Sequence, residues 1–364
     1  MDAATTEEAR RDALAGKLFS ATIEAFDLIN VYLGDRLGLY RVLADSDSQS
    51  SHELAAGAGI HERYAREWLE QQAANGILEV AVESDDPAER RFSLPPGHEE
   101  VLLDPDSLSY AAPFARLFVA CTKPLPALME AFRSGGGVPY EEYGSDLVEG
   151  QAAFTRPLFL HLLGQDWLPA AEAIHARLAS DPPARVVDLA CGGGISSIAI
   201  ARAYPKVRVD GIDLDRASID LAEENLVGSD VEERVEFHCR DAADPSLQGQ
   251  YDLVTIFEAL HDMSYPVDVL EAARLLLDDG GSVLVCDERT ADAFQAPADE
   301  LEQFLYGVSV LHCLPVGMVG EGAAGTGTVM RTETVSRYAT QAGFSSFEVL
   351  PIENEFFRFY RLSP

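Results

Sequence analysis

The sequence predicts an α/β fold, a doubly wound sheet of seven strands behind an N-terminal, mainly helical winged-helix domain. Three observations lead there. The stretch VVDLACGGGISSIAIA, Val186 to Ala201, passes from an apolar β-rich run through three glycines into helix periodicity. From there to the C-terminus, short apolar runs alternate with helical patterns, as in βαβ units. Roughly the first hundred residues read instead as three helices followed by a hairpin.

Length and composition set the outer limits. With 364 residues, 47% hydrophobic and 24% charged, the chain is globular and long enough for two domains. No apolar run reaches about 18 residues without charge, and Met1 to Gly16 is polar and acidic rather than a signal sequence. A cytoplasmic protein with no membrane association is expected. Five cysteines, Cys121, Cys191, Cys239, Cys286 and Cys313, are scattered with no CxxC pair, and read as reduced thiols. The charge is far from balanced. Against 61 acids stand 27 bases, a net charge of -34, and the only lysines are Lys17, Lys123 and Lys206. Such an excess repels nucleic acid and anionic membranes. It suits a protein kept soluble at high salt, or simply an acidic mesophilic cytosol; a melting temperature that rises toward molar salt separates the two.

The N-terminal domain is expected over residues 1–104. A long helix covers Ala13 to Leu43, with breaks near Gly34 and Gly38. Ser50 and Ser51 cap a short helix through Leu54 and Ala58. A third helix, Glu62 to Asn75, carries Tyr64, Ala65, Trp68 and Leu69 on one face and stops at Gly76. Ile77 to Val82 and Arg91 to Leu94 then flank a turn-rich segment as a two-stranded wing. The helix that would enter a DNA groove carries Glu62, Glu67 and Glu70 beside Arg63 and Arg66, and the wing tip is acidic. Dimerisation is therefore expected of this domain rather than DNA binding.

A helical connector follows over residues 105–183, broken at Pro124, Pro126, Gly135 to Gly137 and Pro139. Its aromatic side chains, Tyr140, Tyr143, Phe154, Phe159 and Trp167, either fill core or line an apolar pocket. SDPPAR, Ser180 to Arg185, has linker composition and opens the third region, 184–364.

Strands are expected there near Val186 to Leu189, Val207 to Ile212, Val235 to Cys239, Leu253 to Phe257, Ser282 to Cys286, Phe347 to Leu350 and Phe356 to Arg361. Helices fall between them, among them Ala217 to Leu226 and Val267 to Leu277. Pro351 to Glu355 is too short for a crossover, so the last strand must run antiparallel to the other six. An insertion at about 290–330, centred on Pro297 to Thr328, has the composition of a lid with a glycine-rich tail.

The glycine turn points to a nucleotide-like ligand, since glycines let the backbone approach closely. Asp213, 21 residues beyond Gly192, stands where an acid accepts hydrogen bonds from ribose hydroxyls. A dinucleotide site wants GxGxxG, and Ser197 occupies its third position. The run Asp188, Leu189, Ala190, Cys191, Gly192, Gly193, Gly194 resembles instead the glycine loop of class I S-adenosylmethionine-dependent methyltransferases, with Ala190 in place of the first glycine. With the winged-helix start and the HDM motif at His261 to Met263, nearly the whole chain resembles bacterial and archaeal methyltransferases that carry an N-terminal winged helix. These are relatives of the dimeric small-molecule O-methyltransferases of the hydroxyindole and caffeate type.

That resemblance implies a set of roles. S-adenosyl-L-methionine is the cofactor and a small, apolar or aromatic, hydroxyl-bearing molecule the acceptor. Asp188, Ala190, Gly192 and Gly194 form the loop around it, with Asp188 meeting the cofactor's ammonium directly or through water. Asp213 and Leu214 take the ribose side, Asp241 and Ala242 the adenine, and Phe257 and Glu258 the methionine end. His261 and Asp262 match the dipeptide at which plant-type relatives keep a catalytic base, although relatives without a base also place a histidine here. Methyl transfer from a sulfonium needs positioning and, for a hydroxyl, a base, but no general acid. Glu288 or Asp287 could fix the His261 tautomer. His312 and Cys313 on the insertion either face the same pocket or pack in a lid. No metal ligand set is expected, because no His or Cys pair has ligand spacing. A non-catalytic, adenosylmethionine-sensing regulator and a nicotinamide-dependent dehydrogenase are the alternatives.

Overall fold

A computed structural model of the chain describes residues 3–364, with side chains from residue 6 onward. Met1 and Asp2, the start of the expected first domain, lie outside the described residues. The chain divides into two compact units, Met1–Val119 and Ala120–Pro364.

In the first unit a helix runs Ala3–Arg36 and turns at Leu37 and Gly38 into a second, Leu39–Ala44. Strand β1, Gln49–Ser50, leads into the helix Ser51–Ala58. Ser50 caps that helix by accepting from the Glu53 amide, while the Glu53 carboxylate accepts from the Ser50 amide, a reciprocal capping box. The helix Glu62–Ala74 is capped by His61 and buries Ala65, Trp68 and Leu69. Strands β2, Glu79–Val82, and β3, Arg91–Ser93, form the wing. The sheet has three strands in the order β1-β3-β2 rather than the expected two, because the two-residue β1 is too short to leave a period in the sequence. Leu39, Tyr40, Leu54, Trp68, Leu69 and Phe92 make the core, with Tyr40 edge-on to Trp68 at 5.2 Å.

The second unit is built on seven strands: β4 Arg185–Leu189, β5 Arg208–Asp213, β6 Val235–Cys239, β7 Tyr251–Phe257, β8 Leu277–Glu288, β9 Ser346–Val349 and β10 Phe357–Ser363. Their order is β6-β5-β4-β7-β8-β10-β9. β10 is antiparallel to both of its neighbours and the remaining pairs are parallel, as the short β9–β10 connection demands. Both faces are covered. Val186 joins the core that holds Phe159, Trp167 and Ile198, while its neighbour Val187 joins the one that holds Val254, Leu270 and Tyr338.

The order reverses between β4 and β7, so the crevice for a ligand opens at the carboxyl ends of those strands. Ahead of the sheet, the helix Ser145–Leu158 continues through a π-helical segment, Phe159–Trp167. In the insertion, a helix Glu300–Val308 runs into a second π segment, Ser309–Cys313. All five cysteines are free. Among the described residues, no helix is long and apolar enough to cross a membrane.

Candidate active site

The turn after β4 is the structural centre of the crevice. Asp188 ends up 0% exposed, and its carboxylate accepts from three hydroxyls: Ser196 at 2.6 Å, Ser197 at 2.7 Å and Thr255 at 2.6 Å. Burial raises its pKa, against the pull of those hydroxyls. A carboxylate used in this way ties the start of the following helix, Ile195–Ala203, to β4 and β7, and none of it reaches open space. Ser196 and Thr255 carried no mark in the sequence, and Ser197 was marked only as the departure from a third glycine, because their hydroxyls meet Asp188 only once the turn has formed.

Ala190, which stands at the pattern's first glycine, has φ 58, in the left-handed region that glycine favours. Such a backbone costs an alanine about 1–2 kcal/mol. Glu258, at the end of β7, has φ 52. Both strained residues sit at the carboxyl edge of the sheet, where backbone strain commonly accompanies a ligand site.

The three loop glycines have different duties. A Cβ on Gly192 would meet nothing within 4 Å, whereas one on Gly194 would fall 2.3 Å from the Phe237 ring. Gly193 backs onto Ala152 and Leu221. Gly192 therefore faces the open side and Gly194 makes room for packing. The Gly192 amide donates to Asp213 at 2.9 Å, and the Asp215 amide to its other oxygen at 2.8 Å. Burial pushes Asp213 up to about 6 despite these two amides. Each carboxylate oxygen keeps a lone pair for a further donor.

Other expected contacts are spread along the same edge. Leu214 is 71% exposed beside Asp213. Asp241 is exposed and accepts from the Ala243 amide at 2.9 Å, closing its own turn, while Ala242 packs against the core beneath. Phe257 is buried against Phe159, with ring centres 5.4 Å apart. Tyr140, half-buried and donating to Gln151 at 2.6 Å, has its pKa held well above 10 by its desolvated surroundings and by the nearby Asp213 and Asp262. It lies near Asp213 and Asp262, whereas Phe159 and Trp167 belong to the core.

Beyond β7 and β8 lies a buried acidic group. His261 is 3% exposed, and its Nδ1 bonds Asp287 Oδ1 at 2.9 Å. Glu288 Oε2 lies 3.1 Å from the same nitrogen, without hydrogen-bond alignment. Burial disfavours a charged His261, but Glu288 and Asp287 outweigh it and lift its pKa well above 6.5. Burial likewise pushes Glu258 up, while His261 keeps Asp287 low. Glu258 Oε1 and Asp287 Oδ2 are buried without a hydrogen-bond partner among the described residues. His261, Asp287 and Glu288 bring ligand-type atoms within 4.8 Å of one another, as do His261, Asp262 and Cys313. Spacing along the chain did not announce either cluster, since their members come from the turn after β7, the end of β8 and the π segment Ser309–Cys313. His312 and Cys313 face each other, Nδ1 to Sγ 3.4 Å, and Thr328 also lies against Cys313.

A doubly wound sheet of this order, with a glycine turn and an acid at the end of the next strand, has the form of a nucleotide-type ligand site. Residues 180–331 match the family described as methyltransferase domain, and residues 25–103 the Rv2258c-like winged HTH domain. The chain thus carries a methyltransferase domain behind an N-terminal winged helix, which implies S-adenosyl-L-methionine as the methyl donor. Among its relatives is the ubiquinone biosynthesis O-methyltransferase of Aromatoleum aromaticum, 29% identical over 46% of this chain and 66% of that protein. The mitochondrial ubiquinone biosynthesis O-methyltransferase of Saccharomyces cerevisiae is 34% identical over 27% of this chain and 31% of its own length. The chain thus spans just under two thirds of the first and about a third of the second. Among solved structures, the mitomycin 7-O-methyltransferase MmcR has TM-score 0.70 at 20% identity, covering 98% of this chain and 99% of its own. Human N-acetylserotonin methyltransferase with SAM has TM-score 0.68 at 17% identity, over 96% and 97%. Likeness at that identity establishes a shared fold.

Proposed function

We propose that the chain transfers a methyl group from S-adenosyl-L-methionine to a hydroxyl of a small, aromatic or apolar acceptor, with His261 as the base. The observation that carries this reading is His261 held by Asp287 and Glu288 at the end of β8, at the carboxyl edge that also bears the glycine turn after β4. The relatives' names, O-methyltransferases of ubiquinone biosynthesis, support the reaction class. A sensing regulator is not favoured, since the groups assembled around His261 are those a hydroxyl acceptor needs.

The cofactor fits the open side of the turn. Gly192 leaves room where a Cβ would stand, and Asp213 keeps lone pairs free for ribose hydroxyls. Bound there, S-adenosyl-L-methionine would supply a methyl on a positively charged sulfur. Asp188 acts as a positioning residue that holds the turn through three hydroxyls, and Gly194 shapes it by packing. Leu214, Asp241 and Ala242 would flank the adenosine end, and Phe257, Ala190 and Glu258 the methionine end. Asp287 fixes the His261 ring so that its other nitrogen can take the acceptor's proton. Glu288 shares the resulting positive charge.

Incubation with the cofactor and a panel of small phenols, read as release of S-adenosyl-L-homocysteine, tests the activity. Release by the wild type and a fall of about 100-fold or more in His261→Ala, with S-adenosyl-L-homocysteine affinity retained, is the expected outcome. Undiminished turnover in His261→Ala contradicts the base role.

Two further features belong to the same reading. The helix Ala3–Arg36 exposes Leu14, Leu18, Phe19, Ile23 and Phe26 by 40–70%, an apolar surface that a second copy of the chain would cover. Five free cysteines suit a reducing cytoplasm.

A further inference from the structure

The edge of the sheet opposite the crevice holds a cavity that methyl transfer does not use. Its volume is about 90 Å³, and it lies between the helix Glu172–Leu178 and the ends of β7, β8 and β10. Strand register builds its floor. Leu253 pairs with Ser282, and Leu362 with Val283, so Ser363 comes to lie beside Ser282, and the three form one row on one face of the sheet. The helix covers that row with Ile174 and Leu178, both buried. Two cations complete the wall, Arg177 from the helix and Arg361 from β10.

The polar groups around this space offer hydrogens and little to receive them. Arg177 donates from Nε to Asp252 at 2.7 Å and from Nη1 to Ser180 and the Pro182 carbonyl, which leaves Nη2 unpaired among the described residues. Arg361 meets Glu348 through Nη2 at 2.6 Å, and its Nε and Nη1 are likewise unpaired among the described residues. The hydroxyls of Ser282 and Ser363 make no hydrogen bond to any described residue. Among the described residues that line the cavity, Asp252 is the one acid, and both of its oxygens are engaged, by Arg177 and by the Arg185 amide at 2.8 Å. A guanidinium can only donate, so an occupant of this space must accept.

We propose that the cavity is a binding site for a small aliphatic monocarboxylate, separate from the methyl-transfer crevice and independent of what that crevice does. The planar carboxylate matches the free N–H groups of Arg177 and Arg361, with the two serine hydroxyls as further donors. Charge selects one negative charge rather than two. Asp252 already offsets Arg177, and Glu348 offsets Arg361, in a chain of net charge -34, so a phosphate dianion brings more charge than the wall can neutralise. Ile174, Leu178 and Leu253 take the alkyl part. Size limits its length: a cavity of about 150 Å³ accepts benzene, so this one suits an acid of roughly four carbons.

The test is binding of butyrate at constant ionic strength, followed by ligand-observed NMR with and without S-adenosyl-L-homocysteine, against 1-butanol and inorganic phosphate. The wild type should bind butyrate with a millimolar dissociation constant, about tenfold or more tightly than either comparison compound, and S-adenosyl-L-homocysteine should not displace it. Arg361→Gln, which keeps a polar side chain without the charge, should bind butyrate about tenfold more weakly, and Ser363→Ala about threefold more weakly. No binding of butyrate, butanol bound as tightly, phosphate bound more tightly, or displacement by S-adenosyl-L-homocysteine overturns the proposal, as does wild-type affinity in either variant. Should Arg361→Gln fail to fold, the wild-type preference and Ser363→Ala decide.

Discussion

His261 shows how a buried group can be held in the wrong charge state for its task and still be suited to it. Glu288 and Asp287 overcome the burial penalty and favour the imidazolium, yet a base must be neutral to accept a proton. The sign follows directly: turnover should rise with pH above neutrality, as His261 loses its proton, and level off once it is neutral. Asp287→Asn removes one of the two carboxylates and should move that rise to lower pH. A kcat/KM profile that is flat from pH about 6 to about 9, or an Asp287→Asn profile shifted to higher pH, contradicts this. At this scale the sequence revealed identities better than partners. The Asp213 position was legible from its place after an apolar run, and that of His261 from the resemblance of the HDM motif to the O-methyltransferases. The engagement of Asp188 by Ser196, Ser197 and Thr255 was not, since it ties β4 both to the helix that follows it and to β7, 67 residues on.

Among elements, the turn between β4 and the helix Ile195–Ala203 bears most of the design. Its three glycines look alike in sequence, but only the packing of Phe237 from β6 reveals that Gly194 serves the fold and Gly192 the open side. The difference is measurable. Gly194→Ala places a methyl 2.3 Å from Phe237 on a backbone of φ 74. A loss of roughly 2–4 kcal/mol is expected, read as a melting temperature lower by roughly 5–10 °C. Gly192→Ala, with strain but open space, should melt closer to the wild type while binding S-adenosyl-L-homocysteine more weakly. Equal melting temperatures for the wild type and Gly194→Ala would contradict the packing role. Seven strands with the last one antiparallel were readable because apolar runs alternate with helices and the final connection is too short for a crossover. The two-residue β1 and the two π segments were not, because neither leaves a period in the residues.

For the whole molecule, the apolar side chains along Ala3–Arg36 are the feature that a single chain leaves unexplained. Exposed apolar groups at such spacing would cost solubility in a monomer, even one with a net charge of -34. Phe19→Asp together with Phe26→Asp should convert a dimer into a monomer of 39.5 kDa by light scattering. A wild type that is already monomeric, or a double variant that stays dimeric, contradicts this. The acidic surface argues against a nucleic-acid partner and is neutral on the acceptor, which the crevice rather than the charge selects.

The central claim is that the glycine turn and Asp213 hold S-adenosyl-L-methionine, and calorimetric titration with S-adenosyl-L-homocysteine measures it most directly. Ionised Asp213 accepts from ribose hydroxyls better than the protonated acid, and burial sets its pKa at about 6. Affinity should therefore climb as pH rises through about 6, with one molecule bound per chain, and Asp213→Asn should bind about tenfold or more weakly with that dependence gone. Equal affinity in Asp213→Asn, or binding of a nicotinamide dinucleotide in place of S-adenosyl-L-homocysteine, would contradict it.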